Sequence, residues 1–328
     1  MPNSHLPQEP SMTSRIPVGI SACLIGENVR FDGGHKCLAF AMDDLAPFVA
    51  FTAVCPEMAI GLPAPRPALR LVQNLHGHIA LRNSKEGSTI DHTASMEAFA
   101  GQRVRQLAEL CGYVVCAKSP SCGMEWVRVY ASQGVQKTGV GLFTRVLQEQ
   151  MPWLPVEEDG RLQDPQLREN FVARVFTLWE FNQLMRRPLT RGGLMAFHRR
   201  YKLLLLEHSQ PEYWQIGPFV ANMDRWPSLE AFALTYRDRL MALLRHPATR
   251  CNHTNVLMHA QGYFYLYLTR AQRSELTGLI DSYRRGLQQL LAPITLLKHY
   301  MAEYLDAWLA QQRYFEPYPE ALRLRYGH

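Results

Sequence analysis

An α/β domain with a mainly parallel, Rossmann-like sheet, followed by an all-helical domain, is the fold the sequence predicts, and three observations predict it. Short β-like runs alternate with helical stretches in the first half. From about residue 165 the strand signals fade and long amphipathic stretches take over. Between the two, "VEEDGRLQDP" (156–165) is polar and turn-rich, the composition of a domain boundary.

The β-like runs are "PVGISACL" (17–24), "FVAFTAV" (48–54), "HIALR" (78–82) and "YVVCA" (113–117), bounded by Gly, Pro and Asn. "LAFAMDDLA" and "HTASMEAFAGQRVRQLAEL" lie between them with apolar residues at i, i+3 and i+4, the spacing of one helix face. Strands that alternate with helices require crossover connections, and so predict parallel pairing. In the second half, stretches from "PQLRENFVARVFTLWEFNQLM" to "APITLLKHYMAEYLDAWLAQQRYF" are cut by Pro or Gly into some six or seven helices. The expected organisation is a disordered leader over 1–15, an α/β domain over 16–165 and a basic helical domain over 166–328. At 328 residues the chain exceeds the ~250–300 at which single cores stop growing.

Composition narrows the class. The seven cysteines are odd in number and form no C-x-x-C pair, so neither a disulfide framework nor a zinc ribbon is indicated. The first fifteen residues carry no apolar h-region, and no apolar run approaches the ~18 residues of a membrane span. A reducing cytoplasm is the expected location, and there free thiols serve as ligands or nucleophiles. Charge is split between the halves. Residues 166–328 hold 21 Lys and Arg against 13 Asp and Glu, whereas residues 1–165 hold 14 against 16. Nineteen of those 21 cations are arginine, which suits bidentate contacts to phosphate; the plainer reading is a solvated helix surface.

Three cysteines stand at strand ends. Cys23 closes the first run, Cys55 follows the second in "AVCPEMAIGLP", and Cys122 lies just beyond the fourth in "AKSPSCGMEW". In an open parallel sheet the C-terminal strand ends form the rim where ligands bind, so these thiols can meet. Convergent thiolates select zinc, copper(I) or an iron–sulfur cluster, and a missing fourth ligand leaves a position for substrate. Each is also explicable as a small core residue, the reading given to Cys111, Cys116 and Cys251. Cys37, in the glycine-flanked "DGGHKC", is harder to dismiss.

"SACLIGENVRFDG", "VCPEMAIGLPAPRP" and "AKSPSCG" together resemble the three signature segments of the thiouracil desulfidase family, over roughly residues 16–165. "FHRRYKLLLLEHS", "NHTNVLMHAQGYF" and "QRYFEPYPEALRLRY" are similar to the YbgA-like helical domain, and the fusion resembles the tRNA 4-thiouridine desulfidases. The resemblance implies a [4Fe-4S] cluster on Cys23, Cys55 and Cys122. It also implies non-redox, hydrolytic desulfuration of 4-thiouridine in tRNA to uridine, with sulfide accepted by the cluster's open iron. Free-base members continue the Pro-Arg-Pro segment with an acidic residue; here "PRPALRLV" brings Arg70, which suits a phosphate backbone. Two alternatives stand beside this. One is a desulfidase of free thiouracil whose helical domain serves dimerisation, and the other a non-catalytic, cluster-bearing RNA-binding or redox-sensing protein.

Water attack on the thiocarbonyl carbon needs a base beside the cluster. Glu57 is the first choice, because it follows Cys55 by two and an extended segment turns positions i and i+2 the same way. Ser121 is a candidate donor to the pyrimidine edge, Ser119 a weaker one, and both read equally as turn formers around Pro120. Asp32 in "RFDGG" is a second acid/base candidate or a turn residue. Lys118, with Arg66 and Arg70 at the expected pocket rim, offers charge to phosphate or cluster. In the helical half His198, Arg199, Arg200, Tyr201 and Lys202 form a basic, aromatic stretch, with Arg284, Arg285, Arg323 and Arg325 added; this composition fits tRNA as the partner. A homodimer is left open.

Overall fold

The computed structural model describes residues 15–85 and 90–327. All but the last residue of the expected leader therefore lies outside the described residues. The first sheet contains β1 (Ile16–Ser21), β2 (Val49–Val54), β5 (Gly112–Val115) and β8 (Val156–Glu158), in the order β2-β1-β5-β8, all parallel. Central parallel strands are covered on both faces, which is why "IPVGIS" and "GYVV" read as unbroken apolar runs. Gly19 on β1 admits the Tyr113 ring; a Cβ there would stand 2.2 Å from it. The chain leaves β1 toward β2 on one side and reaches β5 on the other. A switch point therefore lies between β1 and β5, where such sheets place their ligands.

The stretch expected as a polar boundary differs from expectation. Its first three residues form β8, with Glu157 and Glu158 buried. Glu158 Oε1 accepts from the amides of Met124 and Glu125, and Glu157 Oε1 accepts from Arg161 Nε at 2.6 Å. Satisfied in this way, two carboxylates sit at a sheet edge that reads as a loop.

The run at 78–82 is also placed differently. It forms β4 (Ile79–Asn83), antiparallel to β3 (Leu69–Gln73) in a second, mixed sheet with β6 (Val127–Ala131) and β7 (Gly134–Gly139), ordered β4-β3-β6-β7. Leu71, Leu81, Val127 and Val129 fill one face of this sheet. The expected helix in "LAFAMDDLA" is a π-helix, Phe40–Leu45. "HTASMEAFAGQRVRQLAEL" contains α2 (Thr93–Gln106), preceded by the single turn α1 (Pro56–Ala59) and followed later by α3 (Leu142–Gln150).

The helical half begins at α4 (Pro165–Met185), where Asp164 accepts from the amides of Gln166 and Leu167 and Pro165 takes the first helical position. It continues through α5 (Arg191–His208), α6 (Gln210–Ala221), α7 (Leu229–Leu243), α8 (Arg250–Gly262), α9 (Arg270–Arg284) and α10 (Leu291–Glu303). The main core does not stop at the α/β–helical junction. Phe171 and Val175 of α4 pack on β5, close enough that a Cβ at Gly112 would stand 2.6 Å from Val175. A second core gathers α8, α9 and α10 around Leu257, Phe264, Leu276 and Leu297. No helix among the described residues is long and apolar enough to cross a membrane.

Candidate active site

A cavity of about 450 Å³ opens at the switch point, and four thiols line it: Cys23, Cys55, Cys116 and Cys122. Cys23 sits in the 3-10 turn Ala22–Ile25 that follows β1, and Cys55 follows β2 at the residue just before α1. Cys122 lies in the loop after β5, held by a hydrogen bond from its amide to Ser119 Oγ and from Thr144 Oγ1 to its carbonyl at 2.6 Å. Gly141 lets that loop close, since a Cβ there would be 2.5 Å from the Ser121 backbone.

Cys116 is the thiol that sequence reasoning passed over. The strand ends at Val115, two residues short of the expected run, so Cys116 belongs to the rim and not to the strand interior. Its amide donates to Ser21 Oγ at 3.1 Å, and its sulfur shares a hydrogen bond with Cys23. That bond pushes the Cys23 thiol up and Cys116 down. Burial pushes Cys55 and Cys122 up, and for Cys122 the nearby Glu57 charge adds to it. Cys111 is buried against Asn182 of α4, while Cys37 and Cys251 are exposed away from the cavity.

Glu57 also lines the cavity, although not for the expected reason. Residues 56–59 are helical, so Cys55 and Glu57 share the site through a tight turn and not through an extended segment. Glu57 Oε1 accepts from Ser121 Oγ at 2.8 Å, and Oε2 accepts from Arg66 Nε at 2.7 Å. Ser121 is fully buried, so it braces Glu57 and does not face the cavity, contrary to its expected place at the pyrimidine edge. Arg66 is likewise not a free phosphate contact. It is buried, ion-paired to Glu57 and donates to the carbonyls of Val29 and Pro63 at 2.9 and 3.0 Å. Asp32 is an exposed residue outside the cavity lining, accepting from Gly34 N at 3.0 Å, which is the turn role and not the acid/base one.

Lys118 and Ser119 do line the cavity, and Ser119 holds the loop by accepting from Ser121 and Cys122 amides. Lys36 joins them unexpectedly, tethered to Asp159, whose other oxygen accepts from Ala117 N at 2.7 Å. Arg70 lies outside, on the second sheet, with its guanidinium 5.4 Å from the Tyr130 ring. Arg199, Arg200 and Lys202 stand on α5 and line none of the cavities described. In that stretch His198 and Tyr201 are core residues, with His198 Nδ1 against Tyr236 at 3.1 Å. Arg325 is buried and paired with Glu169 at 2.8 Å, which removes it from any RNA surface.

Among the described residues no three His, Cys, Asp or Glu side chains close on a single metal ion. The donor set nevertheless suits a polynuclear iron–sulfur group: soft thiols at a sheet rim, with Arg30, Lys36 and Lys118 lining the same cavity as counter-charge.

Residues 18–159 match the 2-thiouracil desulfurase family, and residues 202–319 match a family described as a protein of unknown function, DUF1722. The "Uncharacterized protein YbgA" of Escherichia coli (strain K12) is 51% identical over 159 residues, 48% of this chain and 94% of that protein. A solved structure, the [4Fe-4S]-dependent thiouracil desulfidase TudS, is 29% identical over 48% of this chain and 96% of its own, with a TM-score of 0.37. The chain therefore belongs to the family of E. coli YbgA, and it carries a 2-thiouracil desulfurase domain ahead of its DUF1722 region.

Proposed function

We propose that the cavity hydrolyses the C=S bond of a thiolated pyrimidine to C=O, and that the substrate is 4-thiouridine in tRNA. The observation that supports this best is the Ser121–Glu57–Arg66 chain of contacts opening onto a cavity walled by cysteines. Cys23, Cys55 and Cys122 would hold a [4Fe-4S] cluster, which when bound supplies an open iron as a soft acceptor for sulfur.

The chain's own residues supply the proton chemistry. Water adds to the thiocarbonyl carbon as a Glu57 carboxylate oxygen takes its proton. The C–S bond then breaks, sulfur leaves with the bonding pair and takes the proton back from Glu57, and the remaining hydroxyl proton is released as C=O forms, so that C=S and water give C=O and hydrogen sulfide. No electron is gained or lost overall. Arg66 and Ser121 fix the two carboxylate oxygens, so Glu57 meets the water without first paying to order itself. Lys36 and Lys118 hold positive charge beside the developing sulfide.

The test is sulfide release under anaerobic conditions from thiolated tRNA and from free 4-thiouracil, with iron and sulfide counted in the same sample. Release from tRNA alone supports the reading. Release only from the free base would assign the chain to that substrate, and bound RNA without sulfide from either would make it a non-catalytic cluster protein.

A further inference from the structure

We infer that the open face of the second sheet binds a single-stranded polynucleotide segment next to the reacting base. This rests on the reading that the base is presented within an RNA. The register of the sheet carries the inference. Arg82 stands opposite Arg70 across β4 and β3, the Leu71–Val129 pairing puts Arg70 beside Arg128, and Arg128 stands opposite Lys137 across β6 and β7. Four cations therefore form one row across all four strands. Cross-strand partners share a face, and Leu71, Leu81, Val127 and Val129 occupy the other, so the row faces outward.

Like charges directly opposite one another destabilise a sheet. Arg82 is relieved by Asp91 at 3.4 Å, but among the described residues no carboxylate pairs with Arg70, Arg128 or Lys137. A groove of about 710 Å³ runs over this face, and no Asp or Glu lines it among the described residues. Ala68, Leu69, Lys118 and Pro120 line both this groove and the cysteine cavity, so the two are continuous. At ~4.8 Å between strands the row is about 14 Å long. Phosphates along one strand of a duplex recur every ~3.4 Å of axis, so a row of that length can meet more than one phosphate.

The groove also offers a stacking surface. Trp126 is 64% exposed at its edge, and its backbone is left-handed at φ 56°, a conformation a bulky residue rarely adopts without a reason. The β6–β7 register breaks just after it, where Val127 pairs with Gly139 and Arg128 with Lys137 and Thr138 of β7 is left over, an irregularity of the kind that re-aims side chains beside a site. A basic groove with an exposed aromatic is the recipe for single strands, whose bases stack while their backbone follows the charge.

The test uses the full-length holoprotein and a labelled, unthiolated oligouridylate whose binding is followed by anisotropy against salt. Arg128→Ala with Lys137→Ala should weaken binding by about 10-fold or more and flatten the salt slope by about 1–2, as two phosphate contacts are lost. Trp126→Ala should weaken binding about 10-fold with the slope retained. Desulfuration of free 4-thiouracil, where the wild type shows it, should be unchanged in both variants. Wild-type affinity and slope in the double variant would overturn the inference, as would polyglutamate competing as well as oligouridylate, which would mark the face as one for an acidic protein. A wild type that releases no sulfide from any thiopyrimidine would sink the proposed reaction, while the binding data would still decide the groove.

Discussion

Ser121 donates a 2.8 Å hydrogen bond to Glu57 from 64 residues further along the chain, joining the loop after β5 to the turn after β2. A serine beside a cysteine thus serves the carboxylate, and Arg66 grips the same carboxylate from the other side at 2.7 Å. Glu57→Gln keeps the shape but removes the ionisable group. Turnover should fall about 10²–10⁴-fold, with the cluster absorbance intact. A variant at near wild-type rate would remove Glu57 from the proton chemistry.

Ser121→Ala and Arg66→Lys test positioning instead. Neither group lines the reaction with its own proton, so each should cost less than Glu57→Gln, about 10-fold in kcat with KM for the thiopyrimidine little changed. A loss of bound iron in Ser121→Ala that accounts for the whole drop in kcat would make Ser121 a purely structural part of the cysteine loop.

Legibility in the sequence followed burial. β1 and β5 are covered on both faces and β2, half-buried at the sheet edge, is still largely apolar, so these runs stand out and carry Cys23, Cys55 and Cys122 to the rim in plain view. The second sheet buries only one face, so "LRLVQ", "VRVYA" and "GVQKTG" alternate with polar and charged residues and give weak strand signals. Arg66 was misplaced because its pairing with Glu57 depends on how the "AIGLPAP" loop folds back, which no spacing reveals. Cys116 reads as strand interior because the apolar run continues two residues past the observed strand end at Val115. Lys36 has no local signal at all, since its anchor, Asp159, is brought in by β8.

Serine at Cys23, Cys55 or Cys122 should each reduce bound iron sharply, while Cys116→Ser should retain it. Iron counts on anaerobically reconstituted protein decide this, and a loss at Cys116 as well would mean that loading needs all four thiols. Because burial holds Cys55 and Cys122 up, ligation must expel their protons. Reconstitution should accordingly keep speeding up as pH rises to about 9 and above, because both thiols are held above the ordinary value of 9.0.

The helical half contains a buried ionisable cluster whose sign can be worked out. Glu207 is 2% exposed, with His253 Nδ1 at 3.3 Å, Arg325 Nη2 at 3.5 Å and His208 Nε2 at 3.5 Å; burial pushes it up to about 8. Burial pushes His198 and His208 down to about 4. Between about pH 4 and 6.5 the unfolded histidines bind protons that the folded ones refuse, so stability rises with pH by two groups against the one opposing Glu207. From about 6.5 to 8 Glu207 is the member of this cluster that still differs, protonated when folded and ionised when unfolded, so its contribution to stability falls as pH rises. The thermal midpoint should peak near pH ~6.5, and Glu207→Gln should level the alkaline side. A wild-type midpoint that keeps climbing to pH ~8 would show that Glu207 is ionised in the fold.

The excess of arginine in the helical half is less available to RNA than its count suggests. Arg284 and Arg285 pair with Asp281, Arg313 with Glu180, Arg191 with Asp224 and Arg325 with Glu169. On α5, Arg199 and Lys202 are three apart and so share a face, whereas Arg200 is turned about 100° from Arg199 and its carbonyl receives the amide of Arg313 at 3.0 Å. Replacing Arg199 and Lys202 by alanine should therefore flatten the salt slope of tRNA binding by about two contacts, and adding Arg200→Ala should change it little further. Free thiopyrimidine turnover should not move, because these residues line no part of the cysteine cavity. An unchanged slope in the double variant would make this a solvated helix face, and would leave the row from Arg70 to Lys137 as the principal path for the RNA backbone.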